Sequence, residues 1–235
     1  MQVISIKVRL YLLDNIPYPY TLAAIAEFVD KALCADERWK QYHQENHYKQ
    51  YSFSSLCPIS KSGIYEKDTL RTFTLRTLDA DLAEYLVKTL PHIETSKLKG
   101  LIAEVWTIPQ KPIEKLYSLN PVIIKCEEGN YWKENNFGFQ AYQKRIFVNL
   151  IKKWNFFLKE KLEEDFDLWT RFELKNNKPI AFPYKGIKLL GDKIEMQIAD
   201  NQPAQNLAYL ALATGLGEMG SRGAGYVNYR PIKGV

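Results

Sequence analysis

Ile6, Val8, Leu10 and Leu12 alternate with Ser5, Lys7, Arg9 and Tyr11 in the opening stretch VISIKVRLYL. A period of two turns one set of side chains toward a core and the other toward water, which predicts a half-buried strand. The period then changes. After the turn DNIPYPY, Leu22, Ile25, Phe28, Val29 and Leu33 recur at helical spacing, with Thr21 placed to cap the helix TLAAIAEFVDKAL. Strand patterns return at YSFSSLC and TLRTFTLRTL, LDADLAEYLVKTL reads as a second helix, and LIAEVWTI as a strand. The order is β-α-β-β-α-β, the split βαβ of ferredoxin-like units.

The segment IPQKPIEKLYS, with two prolines and few apolar anchors, reads as a linker, and the chain beyond it repeats the plan. NPVIIKC is a strand candidate. FQAYQKRIFVNLIKKWNFFLKEKL predicts a long helix with Phe147, Leu150, Ile151, Trp154, Phe157, Leu158 and Leu162 on one face. Strand patterns at WTRFELK, PIAFPYKGIKLLG and KIEMQIA, a helix at QPAQNLAYLALAT and a last strand at GYVNYRPI complete the set. The expected architecture is α+β, two ferredoxin-like (RRM-like) domains in tandem over residues 1–110 and 119–235.

Composition adds limits. With 46% hydrophobic and 25% charged residues, the 235-residue chain is of globular rather than disordered type. Its longest apolar runs fall far short of the roughly 20 residues that cross a bilayer. MQVISIKVRL carries charge too early for a signal peptide, so a soluble, cytosolic protein is expected. Cys34, Cys57 and Cys126 are too few and too scattered for a disulfide framework or a paired-cysteine zinc site, and read as small buried hydrophobes. Net charge is +5, and the excess sits wholly after residue 110, where 19 basic residues face 14 acidic ones. That asymmetry suits a polyanionic partner in the second half.

Five of the twelve glycines, Gly215, Gly217, Gly220, Gly223 and Gly225, crowd into GLGEMGSRGAGYV. Glycines let a backbone bring its N–H groups against a phosphate, and Ser221 and Arg222 add a hydroxyl and a charge in the same loop. The first three match the spacing of a dinucleotide fingerprint, but the predicted order here is helix, loop, strand rather than strand, loop, helix, and no GK[ST] follows. Phosphate of a nucleic-acid backbone is therefore the expected ligand. A nucleotide enzyme is the weaker alternative.

Two of the three histidines, His43 and His47, fall in YHQENHYKQYSFSSL. Four residues apart, they could share a helix face and a metal, but Gln44 stands where a zinc-protease helix has glutamate, Glu45 is displaced onto another helix face, and no further histidine or cysteine cluster completes a site. Cleavage of RNA through its own 2′-hydroxyl needs no metal. It needs a base and an acid that exchange protons near neutrality, for which imidazole is suited, and a cation such as Lys49 against the charge on phosphorus. On the residues alone, a pair of surface histidines remains the open alternative.

Taken together, the glycine-rich GLGEMGSRGAGYV, the segment from His43 through Lys49 to YSFSSL, and NPVIIK followed by FVNLIKKW resemble the CRISPR-associated endoribonucleases of the RAMP superfamily that cut the CRISPR transcript within its repeats, the sixth Cas family. The resemblance spans nearly the whole chain. It implies tandem ferredoxin-like domains, metal-independent cleavage without a cofactor, and 2′,3′-cyclic phosphate and 5′-hydroxyl ends. It maps the catalytic histidine onto His43, with Lys49 six residues later and His47 in reserve, and makes CRISPR repeat RNA the partner, with an effector complex or a homodimer as further partners.

Two positions depart from the family pattern. Ala224 stands where many relatives have an aromatic residue, and the first helix lacks a tyrosine, although Tyr18 and Tyr20 lie just before it. On the long helix, Arg145, Lys152 and Lys159 recur every seven residues as a basic stripe that could follow phosphates or simply face water. A non-catalytic RAMP subunit that only holds guide RNA shares the glycine-rich loop. The histidine segment separates it from a nuclease.

Overall fold

The structure is a computed structural model that describes residues 1–125, 131–134 and 138–232. In chain order the first half contains β1 (Val3–Leu12), β2 (Ile16–Pro17), α1 (Thr21–Leu33), α2 (Glu37–Gln44), β3 (Tyr51–Phe53), β4 (Ile64–Tyr65), β5 (Leu70–Thr77), α3 (Ala80–Thr89) and β6 (Leu98–Ile108). The second half contains β7 (Ile113–Ser118), α4 (Phe139–Leu158), β8 (Trp169–Leu174), β9 (Ile180–Tyr184), β10 (Ile187–Gly191), β11 (Ile194–Ile198), α5 (Gln202–Thr214) and β12 (Val227–Pro231).

Two antiparallel four-stranded sheets result, ordered β3-β5-β1-β6 and β12-β7-β11-β8. Leaving aside the two-residue pair β2-β4 and the hairpin β9-β10, each order places the first and third main strands of its half at the centre. This is consistent with two ferredoxin-like repeats. In the first, Ile6, Val8 and Leu10 of β1 pack with Phe73 and Leu75 of β5 beneath Ile25, Phe28 and Val29 of α1 and Leu82 and Leu86 of α3. In the second, Leu116, Ile194 and Met196 pack beneath Ile146, Leu150 and Trp154 of α4 and Leu207 and Ala211 of α5.

Several local expectations are corrected. Thr21 does not cap α1: a 3₁₀ turn at Tyr18–Tyr20 runs straight into the helix, so Thr21 already has helical dihedrals and is buried. The linker segment IPQKPIEKLYS contains β7, a central strand. Its polar residues hid it, because Lys115 and Glu114 are matched across the sheet by Glu195 at 2.9 Å and Arg230 at 3.1 Å. NPVIIKC, in contrast, makes only isolated bridges at Val122 and Ile123 over its described residues. In YSFSSLC the strand is limited to Tyr51–Phe53, with a bridge at Cys57. PIAFPYKGIKLLG folds as the β9-β10 hairpin outside the main sheet, turning through Lys185 and Gly186 at positive φ. Helix α4 stops at Leu158, where Lys159 turns left-handed, short of Leu162. Cys34 and Cys57 are exposed rather than buried, and Cys126 lies outside the described residues. Among the described residues, no helix is long and apolar enough to cross a membrane.

The halves are joined where β3 meets the end of α5 and the loop after it. Ser52 Oγ donates to Ala213 O at 2.8 Å, and Asn120 Nδ2 donates to Phe53 O at 3.2 Å and to Gly223 O at 2.7 Å. These bonds lock the glycine-rich segment of one half against the chain that follows the histidines of the other.

Candidate functional site

The glycine-rich loop runs from Gly215 to Tyr226 between α5 and β12, and most of it is buried. Its own backbone consumes most of its donors. Leu216 N–H donates to Gly225 O at 2.9 Å, Glu218 N–H to Ile123 O at 2.8 Å and Gly225 N–H to Pro121 O at 2.8 Å. Gly215, Gly217, Gly223 and Gly225 have positive φ, and a Cβ on Gly225 would stand 2.0 Å from Leu216 O. Gly220 opens a 3₁₀ turn, Gly220–Arg222, tight enough that a Cβ there would stand 2.4 Å from Thr214 O. The glycines are therefore required first by the loop's packing. What they present is the half-exposed tip, residues 218–222, where the N–H groups of Met219, Gly220 and Ser221 take no part in the backbone bonds among the described residues.

The tip lines an open cleft of about 600 Å³. His47, Tyr48 and Lys49 line the same cleft, together with Asn149, Lys153 and Phe156 of α4. The two histidines thus separate. His43 sits in the last turn of α2 with Nδ1 3.4 Å from Asp30 Oδ1, and Asp30 in turn pairs with Arg222 of the loop. His47 lies beyond the helix, stacked on Phe156 at 5.6 Å between ring centroids, with Nδ1 3.1 Å from Glu45 Oε2. They turn to different carboxylates rather than toward a shared metal.

The carboxylate facing Nδ1 favours the tautomer protonated there, which leaves Nε2 as the basic nitrogen. Burial lowers the pKa of His47, the charge of Lys49 lowers it further, and Glu45 opposes both. Neutral imidazole is thereby favoured near neutrality. Lys49 donates to the carbonyls of Tyr42 and Glu45, the second at 2.9 Å, and its ammonium lies 4.5 Å from the centre of the Tyr42 ring. Among the described residues two of its three N–H donors are engaged, which leaves one for an anion. Burial lowers the Lys49 pKa first and the charge of Arg222 adds to this, against Glu45.

The basic stripe has mixed surroundings. Arg145, Lys152 and Lys159 are all exposed, but Arg145 reaches back to Glu218 of the tip at 3.7 Å, and Lys159 lies over Phe156 at 4.6 Å. Two residues of the site are not evident from the motifs. Glu45 would lie on another face of a continuous helix, but α2 ends at Gln44 and the chain turns extended at Glu45, which brings the carboxylate to His47. Lys153 leaves a signal: Ile146, Leu150 and Phe157, at seven and three residues before it and four after, put a lysine on the apolar face of α4.

Comparison with known proteins defines the class. The family model described as "CRISPR associated protein Cas6, C-terminal" matches residues 108–229, more than half of the chain. A solved CRISPR-associated protein Cas6 superposes with a TM-score of 0.73 at 20% identity, covering 97% of this chain and 99% of that one. A structure described as a RAMP protein binding different RNA substrates gives 0.69 at 14% identity, covering 97% and 99%. A Cas6 product complex gives 0.62 at 15%, covering 97% and 99%. No curated protein sequence matches the chain significantly. The family model, over more than half of the chain, defines a CRISPR-associated protein. The chain belongs to the Cas6 family.

Proposed function

We propose that this chain is a metal-independent endoribonuclease that binds the CRISPR repeat in a precursor transcript and cuts it through a ribose 2′-hydroxyl to release guide RNAs. The observation that carries this reading is the single cleft that His47 and Lys49 share with the tip of the glycine-rich loop. His47 Nε2 takes the 2′-hydroxyl proton, the 2′-oxygen bonds to phosphorus, and the bond from phosphorus to the 5′-oxygen breaks. A 2′,3′-cyclic phosphate remains, the departing oxygen takes a proton from water to become a 5′-hydroxyl, and His47 returns its proton to the hydroxide so formed. The free donor of Lys49 and the amides of Met219, Gly220 and Ser221 stabilise charge on the phosphoryl oxygens. Both imidazoles have Nδ1 against a carboxylate, but the residues lining the cleft include His47 and not His43, which favours His47 as the base. The solved RAMP protein described with RNA substrates and the Cas6 described as a product complex support an RNA ligand that is turned over.

Purified protein is expected to cut its repeat RNA in EDTA, leaving cyclic phosphate ends, and to fail when the cut nucleotide lacks its 2′-hydroxyl. Tight binding with the RNA recovered whole would instead make the chain a non-catalytic RAMP subunit that holds guide RNA.

The pH profile gives an independent check. Only neutral His47 accepts a proton, so the rate falls as pH drops through its pKa, which lies below the ordinary 6.5. Glu45 holds that pKa up, so Glu45→Gln is expected to move the acid limb to lower pH. A limb that stayed in place would count against His47 as the titrating base.

A further inference from the structure

Lys153 carries a charge that neither the core nor the cleavage chemistry uses. It is 4% exposed, on the apolar face of α4. Its Nζ donates to Gly215 O and Gly217 O at 2.8 Å each and to Thr214 O at 3.3 Å. All three carbonyls belong to the segment that ends α5 and opens the glycine-rich loop. Among the described residues no carboxylate stands within ion-pair distance of Lys153, since Glu218 faces Arg145 and Lys125 instead. A buried cation without a counter-ion is costly, and this one lines the cleft. Beside it, Asn149 is 7% exposed, and its Oδ1 has no partner among the described residues.

We propose that Lys153 is the positioning residue of the RNA site: its ammonium ties down the base of the glycine-rich loop so that residues 218–222 face the cleft, and a phosphate of bound RNA supplies the counter-charge. The counter-charge rests on the proposed RNA-binding function. The tie to the loop does not.

Three carbonyls require three N–H donors, which only the protonated amine has. Burial pulls Lys153 down to about 7 in the free protein, against the pull of Glu218. Around it stand Glu218 and Arg222 of the loop, Glu45, His47 and Lys49 after α2, Lys125 beyond β7, and Tyr48 and Tyr184. An RNA phosphate among them favours the ammonium, so binding takes up a proton. By linkage, affinity then falls as pH rises above the free-protein value.

The test measures affinity for repeat RNA, 2′-O-methylated to block cutting, from about pH 7 to about pH 9. Over that range the neutral form of His47 predominates, because burial lowers its pKa from 6.5. Wild type is expected to lose roughly tenfold in affinity. Lys153→Arg, permanently charged, should hold level, and Lys153→Met should bind more weakly at neutral pH and also stay level. An arginine variant that kept the wild-type slope, or a methionine variant with wild-type affinity and slope, would overturn the proposal. Should the methionine variant not fold, the arginine variant decides alone. Hydrogen exchange in the RNA-free protein separates the tie from the counter-charge. Faster exchange of amides 216–222 in Lys153→Met supports the tie even if wild type binds no RNA, which would sink only the RNA-binding function. Unchanged exchange overturns the tie.

Discussion

Replacing His47 with alanine is expected to slow cleavage of the repeat RNA by about 10²–10⁴-fold, the usual worth of a positioned general base, with affinity for uncut RNA little changed. The geometry makes this specific to one of two neighbouring histidines. His47 lines the cleft, with Glu45 fixing its tautomer and Lys49 lining the same space. His43 lies in the last turn of α2 with its Nδ1 facing Asp30, so His43→Ala removes a neighbour of the Asp30–Arg222 pair and should cost far less activity. Single-turnover rates at saturating protein separate the two, because they exclude binding. The reverse result, an inactive His43 variant beside an active His47 variant, would return the base to α2 and the histidine that sequence resemblance favours.

The second large effect is on stability. Gly225→Ala must hold an L-residue at φ +64 and place its Cβ 2.0 Å from Leu216 O, the residue whose N–H donates to Gly225 O. The left-handed conformation alone costs roughly 1–2 kcal/mol, and loss of that hydrogen bond about another 1. A loss of about 3 kcal/mol or more is expected in urea unfolding once the steric displacement is included. Gly63→Ala is the control. Its φ is +78, but nothing lies within 4 Å of the added carbon, so only the conformational cost should appear. Equal losses in the two variants would mean that the loop tolerates the displacement and that its glycines are not required by packing.

That distinction marks the limit of reading the loop from sequence. Five glycines in eleven residues announce a close backbone approach, but the partner approached is mostly the protein itself: Leu216, Thr214, Ile123 and Phe53. Composition records that a Cβ is forbidden and cannot record what forbids it. β7 escapes the sequence pattern for a related reason. Its Lys115 and Glu114 are paired across the sheet by Glu195 and Arg230, 80 and 116 positions later in the chain, so the segment has no local sign of being central.

Periodicity and motif spacing are local properties, so most helices and strands other than β7, the α+β class and the family resemblance that the Cas6 model match bears out were legible in the chain itself. The histidine segment and the glycine-rich loop also stood out there. Folding brought them into one cleft, held through Ser52, Asn120 and the Asp30–Arg222 pair. It separated His47 from His43 by ending α2 between them and turning each imidazole to a different carboxylate. It also placed Lys153 under the loop, where three carbonyls from another helix's end converge on one ammonium. The meeting of the loop with the histidine segment and with Lys153 joins residues far apart in the chain, which no spacing along the sequence encodes.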